Sequence, residues 1–238
     1  MDSLRQLLKE HASLMEIDLS EADIDKFILY KDILKEWNQK INLTAIEDDE
    51  GIIIKHFIDS ITILPFIDEK AVSLIDVGTG AGFPGIPIKI LRKKIGVTLL
   101  DSLDKRIKFL DVVNQSLSLQ GISTVHGRAE DFGIKQGFRG GFDVAVARAV
   151  ASLPVLLEYC LPFVKVGGHF IAMKGNSSDE VDQSKRALNI LGGQIEKVSD
   201  FVIPGTDIKR SIVLVRKLRH TPTNYPRKAG KPTKEPLI

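Results

Sequence analysis

Short apolar runs alternate with longer mixed stretches from residue 72 onward. The apolar runs are bounded by glycine, proline or aspartate, which is typical of buried strands. The predicted strands are Val72–Val77, Gly96–Asp101, Ser123–His126, Phe142–Ala147, His169–Lys174, Gln194–Ile203 and Ile212–Leu218. The stretches between them predict helices that begin near Gly85, Asp104, Leu153 and Asp179.

Strands that alternate with helices form a mostly parallel sheet whose crossover helices cover both faces. The last two predicted strands are joined only by a short connection at Pro204 and Gly205, so we expect that pair to be antiparallel. A ligand of such a sheet is expected at the carboxyl ends of its strands.

The region before residue 69 has helical periodicity. Between Ala22 and Ile41, apolar residues recur at spacings that predict an amphipathic helix, and a second helix is expected over Glu50–Leu64. We therefore divide the chain into a helical N-terminal region packed on the core (1–68), a main domain (69–219) and a C-terminal tail (220–238). The tail places four prolines among cations and is expected to be extended and without a core.

Composition indicates one ordinary globular protein. The 238 residues are 43% hydrophobic and 27% charged, and the first residues lack the apolar centre of a signal peptide, so we expect a cytoplasmic protein without a membrane anchor. Cys160 is the single cysteine, which excludes an internal disulfide, and the histidines show no metal-ligand spacing. We expect no metal and a monomer.

The net charge of +2 is unevenly distributed. Residues 1–75 contain 8 lysines and arginines against 16 acids, residues 76–215 contain 18 against 14, and residues 216–238 contain 7 against 1. Because cations gain affinity for phosphates through counterion release, a polyanion is expected to approach the C-terminal side. The alternative is a solvated tail that contacts nothing.

The stretch DVGTGAGFPGIP, residues 76–87, holds four glycines behind Asp76. Counted from Gly80 it matches the dinucleotide fingerprint G-x-G-x-x-G; counted from Asp76 it is an acid followed by three glycines at alternate positions. A carboxylate at this place repels a pyrophosphate but suits S-adenosylmethionine, a cationic methyl donor without phosphate. Pro84 and Pro87 also remove amides that a phosphate needs. A methyl donor is favoured over a dinucleotide or a purely structural turn.

Polar residues at three further strand ends are expected around the same ligand. Asp101 stands where an acid binds ribose hydroxyls, and it is equally placed to cap the next helix. Ala129 and Glu130 are expected at the adenine end, with simple surface exposure as the alternative for Glu130. Arg148 follows the fourth strand where chemistry is expected, with an ion pair to a structural carboxylate as its alternative.

The absence of two sequence features reduces the number of possible methyl acceptors. The fourth strand lacks the Pro-Pro-aromatic sequence of enzymes that methylate exocyclic adenine amines, and Cys160 has the setting of a buried helical residue rather than of the nucleophile that cytosine-C5 enzymes need. Guanine N7 has a lone pair and no proton, so its methylation needs alignment and no general base. Arg148 is then expected to bind the donor carboxylate, guanine O6 or a phosphate.

Seven segments together resemble the bacterial glucose-inhibited division protein B family, which methylates guanine N7 in small-subunit (16S) ribosomal RNA. They are WNQKINLTAI, HFIDS, DVGTGAGFPGIP, DSLDKRIKFL, HGRAEDF, FDVAVARAVASL and YPRKAGKPTKEP. The resemblance covers nearly the whole chain. It implies an α/β, Rossmann-like fold of class I S-adenosylmethionine-dependent methyltransferases, with a seven-stranded, mostly parallel sheet, helices on both faces and a small helical N-terminal extension.

The resemblance also implies roles for individual residues. The methyl donor is expected to contact Gly78, Phe83, Ala129, Glu130 and Arg148, to which the glycine-loop argument adds Asp76, Gly80, Gly82 and Asp101. Candidates near the acceptor, none of them an obligatory catalyst, are Asn38, Asn42, His56, Asp59 and Arg148. The alternatives are helix capping for the two asparagines and a mutual pair for His56 and Asp59. The candidate RNA contacts are Lys105, Arg106, Lys174, Arg210, Arg227, Lys228 and Lys231.

Two other functions stay open at this point. One is an NAD(P)-dependent oxidoreductase that uses the same glycine loop, and the other is an RNA-binding protein without catalysis. For the methyltransferase, the partner is 16S ribosomal RNA, either free or within the small ribosomal subunit.

Overall fold

A seven-stranded sheet forms the centre of the computed structural model, which describes residues 2–148, 151–175 and 177–238. The strands are β1 Ser73–Val77, β2 Gly96–Asp101, β3 Ile122–His126, β4 Phe142–Arg148, β5 Val164–Lys174, β6 Gly193–Val202 and β7 Lys209–Lys217. Their order is β3-β2-β1-β4-β5-β7-β6. Strands β1 to β5 are parallel, whereas β7 is antiparallel to both neighbours. The seven predicted strands and the antiparallel final pair are confirmed.

Helices precede the sheet and connect its strands. They are α1 Asp2–Ser13, α2 Glu21–Ile41, α3 Asp49–Ile52, α4 Asp59–Ile61, α5 Gly85–Leu91, α6 Asp104–Ser116, α7 Ala129–Phe132, α8 Leu153–Cys160, α9 Ser178–Gln183, α10 Lys185–Leu191 and α11 Lys231–Lys234. The predicted helix starts near Gly85, Asp104, Leu153 and Asp179 are confirmed within one residue.

Two apolar cores lie on opposite faces of the sheet, because successive strand residues point to opposite sides. Leu74 of β1 belongs to the core that contains α2, α5 and α6, whereas the next residue, Ile75, belongs to the core that contains α8 and α10. The same alternation separates Val146 from Ala147 on β4. Helices therefore cover both faces, as the sequence predicts.

The N-terminal helices share the first of these cores with the sheet. Ser20 and Asp23 form a reciprocal capping box that begins α2, and Asn42 ends this helix in the left-handed conformation at φ 48°. Phe27 and Tyr30 of α2 are fully buried in the core that also holds Leu74. The region boundaries after residues 68 and 219 remain predictions.

The predicted second helix, Glu50–Leu64, is confirmed with an irregularity. The segment Ile53–Ile58 between α3 and α4 is a π-helix, in which the wider turn shifts side chains and carbonyls relative to a regular helix. Lys55 and His56 lie within this wider turn.

The C-terminal tail is packed, so the prediction of a tail without a core is wrong. Pro226 is buried, and Leu237 is only 6% exposed within the core that contains α8 and α10. Arg139 donates to the carbonyls of Thr221 and Tyr225 at 2.6 and 2.8 Å. A few apolar residues, separated by exposed cations, pack this segment against the rest of the protein. Because these residues are few and irregularly spaced, they give no periodic signal in the sequence.

No helix among the described residues is long and apolar enough to span a membrane.

Candidate functional site

A cavity of about 590 Å³ lies at the carboxyl ends of the parallel strands, where ligands of such sheets bind. This volume is within the range of small-molecule sites, roughly 300–1,000 Å³. Of the predicted site residues, the cavity is lined by His56, Gly78, Gly80, Phe83, Asp101, Arg106, Ala129, Glu130 and Arg148. Asn38, Asn42, Asp59, Asp76 and Gly82 do not line it.

The glycine loop between β1 and α5 uses its amides internally. Gly78 and Thr79 both donate to the carbonyl of Leu100, at 2.8 and 3.1 Å, and Gly80 donates to Asp101 Oδ2 at 2.9 Å. Further along, the amides of Gly82, Phe83, Gly85 and Ile86 also donate within the protein. A pyrophosphate needs free amides at such a loop, so this geometry disfavours a dinucleotide.

Asp76 lies fully buried beneath the loop. Its Oδ2 accepts from Thr79 Oγ1 at 2.7 Å and from the Gly85 amide at 2.8 Å, whereas Oδ1 is buried without a hydrogen-bond partner. Burial raises the pKa of Asp76 to about 6. The structure therefore has Asp76 shaping the loop, and the direct ligand contact predicted from the sequence is not supported.

Tyr30 connects α2 to the glycine loop. Its hydroxyl donates to the Ala81 carbonyl, and burial raises the pKa of the phenol, which therefore stays neutral. Gly82 has φ +93°, and a Cβ at this residue would lie 2.6 Å from both Tyr30 Oη and Ile86 Cδ1. The absence of a side chain at Gly82 thus lets the loop lie close to α2. This is a structural role, and it takes the place of the predicted contact with the donor.

Asp101 joins the loop to the beginning of α6. Besides the Gly80 amide, it accepts from the Leu103 amide at 3.0 Å, and Arg106 Nη1 lies 3.2 Å from Oδ2. Asp101 also lines the cavity while only 3% exposed. The ligand contact is compatible with this position, whereas the alternative of a helix cap is wrong, because α6 has Leu103 at its N-cap without a side-chain cap and Asp101 holds only the turn before it.

Glu130 lies in the part of the cavity that is near the C-terminal tail. It is only 8% exposed, so the alternative of a surface acid is wrong. Its Oε1 accepts from the Gly230 amide at 3.1 Å, and Tyr159 Oη and Thr233 Oγ1 lie 3.0 Å apart beside it. Tyr159, Gly230 and Thr233 all line the cavity with Glu130.

Phe83, His56 and Arg148 form a stack at the other end. The rings of His56 and Phe83 are 4.5 Å apart and nearly parallel, and the Arg148 guanidinium lies 5.0 Å from the Phe83 centroid. Arg148 Nη2 donates to His56 Nδ1 at 3.2 Å, and His56 Nε2 lies 2.8 Å from Thr44 Oγ1. Burial, together with the Arg148 charge, lowers the pKa of His56 to about 3. Neutral His56 positions other groups and is not a proton acceptor near neutral pH.

Asp59 lies behind this stack, 2% exposed, and binds two arginines. Its Oδ2 accepts from Arg148 Nη1 at 3.0 Å and its Oδ1 from Arg210 Nε at 2.8 Å. Arg148 also donates to the carbonyl of Lys55 in the π-helical turn. The alternative of a structural ion pair for Arg148 is therefore observed, whereas the alternative of a mutual pair between His56 and Asp59 is wrong, because both residues contact Arg148. Ala149 and Val150, which follow in the FDVAVARAVASL segment, lie outside the described residues.

Asn38 and Asn42 end α2, which confirms the capping alternative. Asn38 Oδ1 accepts from the amides of Leu43 and Thr44 at 2.7 and 2.8 Å, and Asn42 is the left-handed cap itself. They thereby place Leu43 and Thr44, which line the cavity. Neither asparagine touches the cavity directly.

The candidate RNA-contact cations differ in exposure and in whether their side chains are bound by other groups of the protein. Lys174 is 11% exposed and pairs with Glu180 at 2.8 Å, and Arg227 pairs with the buried Glu158 at 2.6 Å. These two side chains are engaged inside the protein, against the prediction that they face RNA. Lys105 donates to the Ile41 carbonyl from an exposed position, Arg210 is held by Asp59, and Lys228 and Lys231 are exposed in the tail.

Several residues of the site escaped the sequence argument. Thr44 and Tyr159 belong to stretches that look like ordinary helix ends or helix faces, and Tyr30 falls on the apolar stripe of α2. Gly230 and Thr233 stand in the tail that was assigned to RNA alone. Only spatial proximity identifies these five.

The fold and site define a class of protein: the Rossmann-like fold of class I S-adenosylmethionine-dependent methyltransferases. Solved structures share it at low sequence identity. A Haloferax volcanii putative methyltransferase in complex with the Trm112 methyltransferase activator matches with a TM-score of 0.57 and 13% identity over 78% of this chain and 98% of that one. M. jannaschii TYW2 in complex with AdoMet matches with a TM-score of 0.52 and 13% identity over 66% and 72%.

Within this class, the chain belongs to the GidB family, described as rRNA small subunit methyltransferase G, whose model matches residues 23–212. Two relatives are named ribosomal RNA small subunit methyltransferase G. The protein of Acetivibrio thermocellus is 64% identical over 98% of this chain and 97% of its own length. That of Clostridium tetani is 53% identical over 93% of each.

Proposed function

We propose that this protein transfers the methyl group of S-adenosylmethionine to N7 of a guanine in small-subunit (16S) ribosomal RNA. The family and the names of its relatives support ribosomal RNA of the small subunit as the substrate. The methyltransferase fold supports the donor. N7 is an acceptor atom that needs no general base, which agrees with the neutral state of His56 in the cavity wall. We place the reaction in the cytoplasm.

The internal use of the glycine-loop amides is the observation that supports this donor over a dinucleotide. Amides already bonded to Leu100, Thr79 and Asp101 are not offered to a phosphate. The cavity wall combines the acids Asp101 and Glu130 with Arg106, Arg128 and Arg148, which suits a ligand that carries both positive groups and a carboxylate, as S-adenosylmethionine does. The residues present therefore fit this donor, which carries no phosphate.

Each part of the cavity is suited to one part of the donor. Asp101 is placed for the ribose hydroxyls, Ala129 and Glu130 for the adenine, and Gly78 and Gly80 for the backbone contacts of the remainder. When bound, S-adenosylmethionine supplies a methyl carbon activated by its sulfonium. The remaining catalytic work is alignment and exclusion of water.

His56, Phe83 and Arg148 are the residues we propose to align the acceptor. The stacked, neutral His56 ring has Nδ1 occupied by the Arg148 donor, so it does not take up a proton. This agrees with a guanine N7 that has none to give. Arg148 is fixed by Asp59 and the Lys55 carbonyl at the cavity wall, where its charge is available for O6 or a phosphate.

We further propose that RNA covers the cavity from the side that carries exposed cations. Arg106 lies at the cavity, and Lys105, Lys228 and Lys231 are exposed around it.

The test is transfer of labelled methyl from S-adenosylmethionine to free 16S ribosomal RNA and to purified small subunits. We expect one labelled guanine, located by borohydride reduction and aniline cleavage, a reaction sequence that cuts RNA at 7-methylguanosine. Label on another base or atom would refute the N7 assignment. Calorimetry with NAD in place of the methyl donor tests the oxidoreductase alternative, for which we expect no binding.

A further inference from the structure

The tail segment 225–235, which we call the strap, crosses one end of the cavity. It includes α11 and lies against α8 and the short helix α7. Pro226 packs near Gly133, where an added Cβ would lie 3.0 Å from the proline ring. The strap is therefore part of the folded molecule and not a free arm.

Two ionic and polar anchors hold the strap in place. Arg227 donates to both carboxylate oxygens of Glu158, which is 1% exposed, and also to the Glu235 carbonyl at 2.8 Å. Because Glu158 is buried, this pair is shielded from solvent and leaving it unmade would be costly. Arg139 adds its contact to the Tyr225 carbonyl from outside the strap.

The inner side of the strap reaches the cavity at two points. The Gly230 amide donates to Glu130 Oε1 at 3.1 Å, and Thr233 Oγ1 hydrogen-bonds Tyr159 Oη at 3.0 Å. Gly230 adopts φ +80°, and a Cβ added there would meet no protein atom within 4 Å. All four residues line the cavity, so the strap is one of its walls.

We propose that the strap is the wall of the donor site at its adenosine end, and that it determines how tightly the donor is retained. This inference rests on the proposed function, since it assumes that the cavity binds S-adenosylmethionine. Glu130 is held by the strap amide, so displacement of the strap also releases the acid that faces the adenine. Displacement of the strap from Glu130 and Tyr159 should therefore speed release of the donor.

The strap also relates the donor site to the RNA side. Lys228, Lys231 and Lys234 are exposed on its outer side, while Gly230 and Thr233 line the cavity. RNA bound to these lysines would therefore contact the same segment that forms the wall of the donor site at its adenosine end. The strap thus contributes different residues to two neighbouring surfaces.

The first test compares three strap-site variants with a matched glycine control. Gly230→Ala introduces a methyl group and left-handed strain, and Thr233→Val and Tyr159→Phe each remove one hydrogen bond. The control is Gly167→Ala, because Gly167 has φ +89° and the same open surroundings but lies away from the cavity. Calorimetry measures the Kd of S-adenosylmethionine and of 5′-methylthioadenosine, which contains only the adenosine part.

We expect Gly230→Ala to weaken both ligands by the same factor, up to about tenfold, because left-handed strain within the strap favours its displacement from Glu130, and both ligands bind the undisplaced form. Thr233→Val and Tyr159→Phe should weaken both by a smaller common factor. The control should leave both Kd values unchanged. Strap variants that fold normally and bind both ligands like the wild type would overturn the strap inference, whereas a wild type that binds neither would overturn the proposed function on which it rests.

A second test follows the strap itself. Trypsin is expected to cut after Lys228, which is exposed and is not followed by proline. Saturating S-adenosylmethionine should slow this cut several-fold, because ligand that binds only the closed strap lowers the open population. Equal cleavage rates with and without donor, in protein shown to bind it, would contradict the proposal.

Discussion

Arg148 Nη1 donates to Asp59 Oδ2 over 3.0 Å, and both side chains are largely buried beside the cavity. The second oxygen of Asp59 accepts from Arg210. One carboxylate thus compensates two guanidinium groups that would otherwise repel each other. The position of Arg148 at the cavity wall depends on this acid.

Asp59→Asn should therefore reduce both stability and methyl transfer. The change leaves two partly buried arginines without a counter-charge, while the amide keeps one acceptor, so we expect a loss of about 2–4 kcal/mol in the free energy of unfolding. Urea denaturation and single-turnover transfer measure the two effects. The surface variant Asp104→Asn is the control and should change neither. If Asp59→Asn behaved like this control, Asp59 would not be what holds Arg148.

Two alanine substitutions should separate support of the loop from contact with the donor. Gly82→Ala places a methyl against Tyr30 and Ile86 and should cost about 1–3 kcal/mol of stability. Gly80→Ala meets no protein atom and lies at the cavity, so it should mainly weaken S-adenosylmethionine. Chemical denaturation and calorimetry on both variants check this. The reverse pattern would show that the donor lies elsewhere.

Asp76 should make the protein less stable as pH rises. Its pKa is about 6 in the fold against 3.8 for the unperturbed group, so the folded state binds more protons between these values. Stability linked to Asp76 is therefore present below about pH 4 and falls by about 3 kcal/mol as pH rises through 6.

The measurement is the free energy of unfolding of wild type minus that of Asp76→Asn between pH 4 and 7, which should fall. Asp143→Asn is the comparison, because its effect on the pH dependence of stability should have the opposite sign. Despite its burial, donors including Lys165 lower the pKa of Asp143, so the same difference for Asp143→Asn should rise with pH from its acidic end. A flat difference for Asp76 would mean that its buried carboxyl has an ordinary pKa.

The rate of methyl transfer should not follow an ionisation near neutral pH. His56 stays neutral above about pH 3, and guanine N7 has no proton to remove. We expect single-turnover rates at saturating donor and RNA to be constant from roughly pH 6.5 to 8.5, without the bell shape of acid–base pairs. NMR of the His56 ring should show no titration in this range. A tenfold rise that follows one pKa would indicate a general base or another acceptor atom.

The exposed lysines of the strap should contribute to RNA affinity. Replacing Lys228, Lys231 and Lys234 by glutamine should lower the slope of log affinity against log salt by about 1–2, because each phosphate contact contributes ~0.7–0.9 and Lys231 is partly compensated by Glu235 at 3.6 Å. Filter binding across a salt series measures the slope. Lys9→Gln, in the acidic N-terminal region, should not change it. An unchanged slope in the triple variant would leave the tail without an RNA role.

The sheet was predictable from sequence because its signals are local. Apolar runs such as Phe142–Ala147 are bounded by polar or glycine residues, and the helix Ala22–Ile41 repeats its apolar positions at regular intervals. Asp101 and Glu130 were placed at the cavity because strand ends of a parallel sheet converge. These inferences need only periodicity and topology.

The remaining features depend on contacts between distant parts of the chain. No spacing in the sequence brings Asp59 between Arg148 and Arg210, and nothing in HFIDS predicts the π-helical turn that offers the Lys55 carbonyl to Arg148. The glycine loop predicted a ligand, but its charge argument assigned Asp76 to the wall and not to the support beneath. Arg227 looked like a free cation because its partner, Glu158, lies in a helix that reads as uniformly apolar.

The residues that form the cavity wall extend along the chain from Leu43, after α2, to Thr233 in the strap. During translation, the sheet strands up to β5 emerge well before the strap does. A nascent chain can thus fold its central strands and still lack the wall at Glu130 and Tyr159. Newly made protein should begin to retain methyl donor only when the strap, which follows the last strand of the sheet, has left the ribosome.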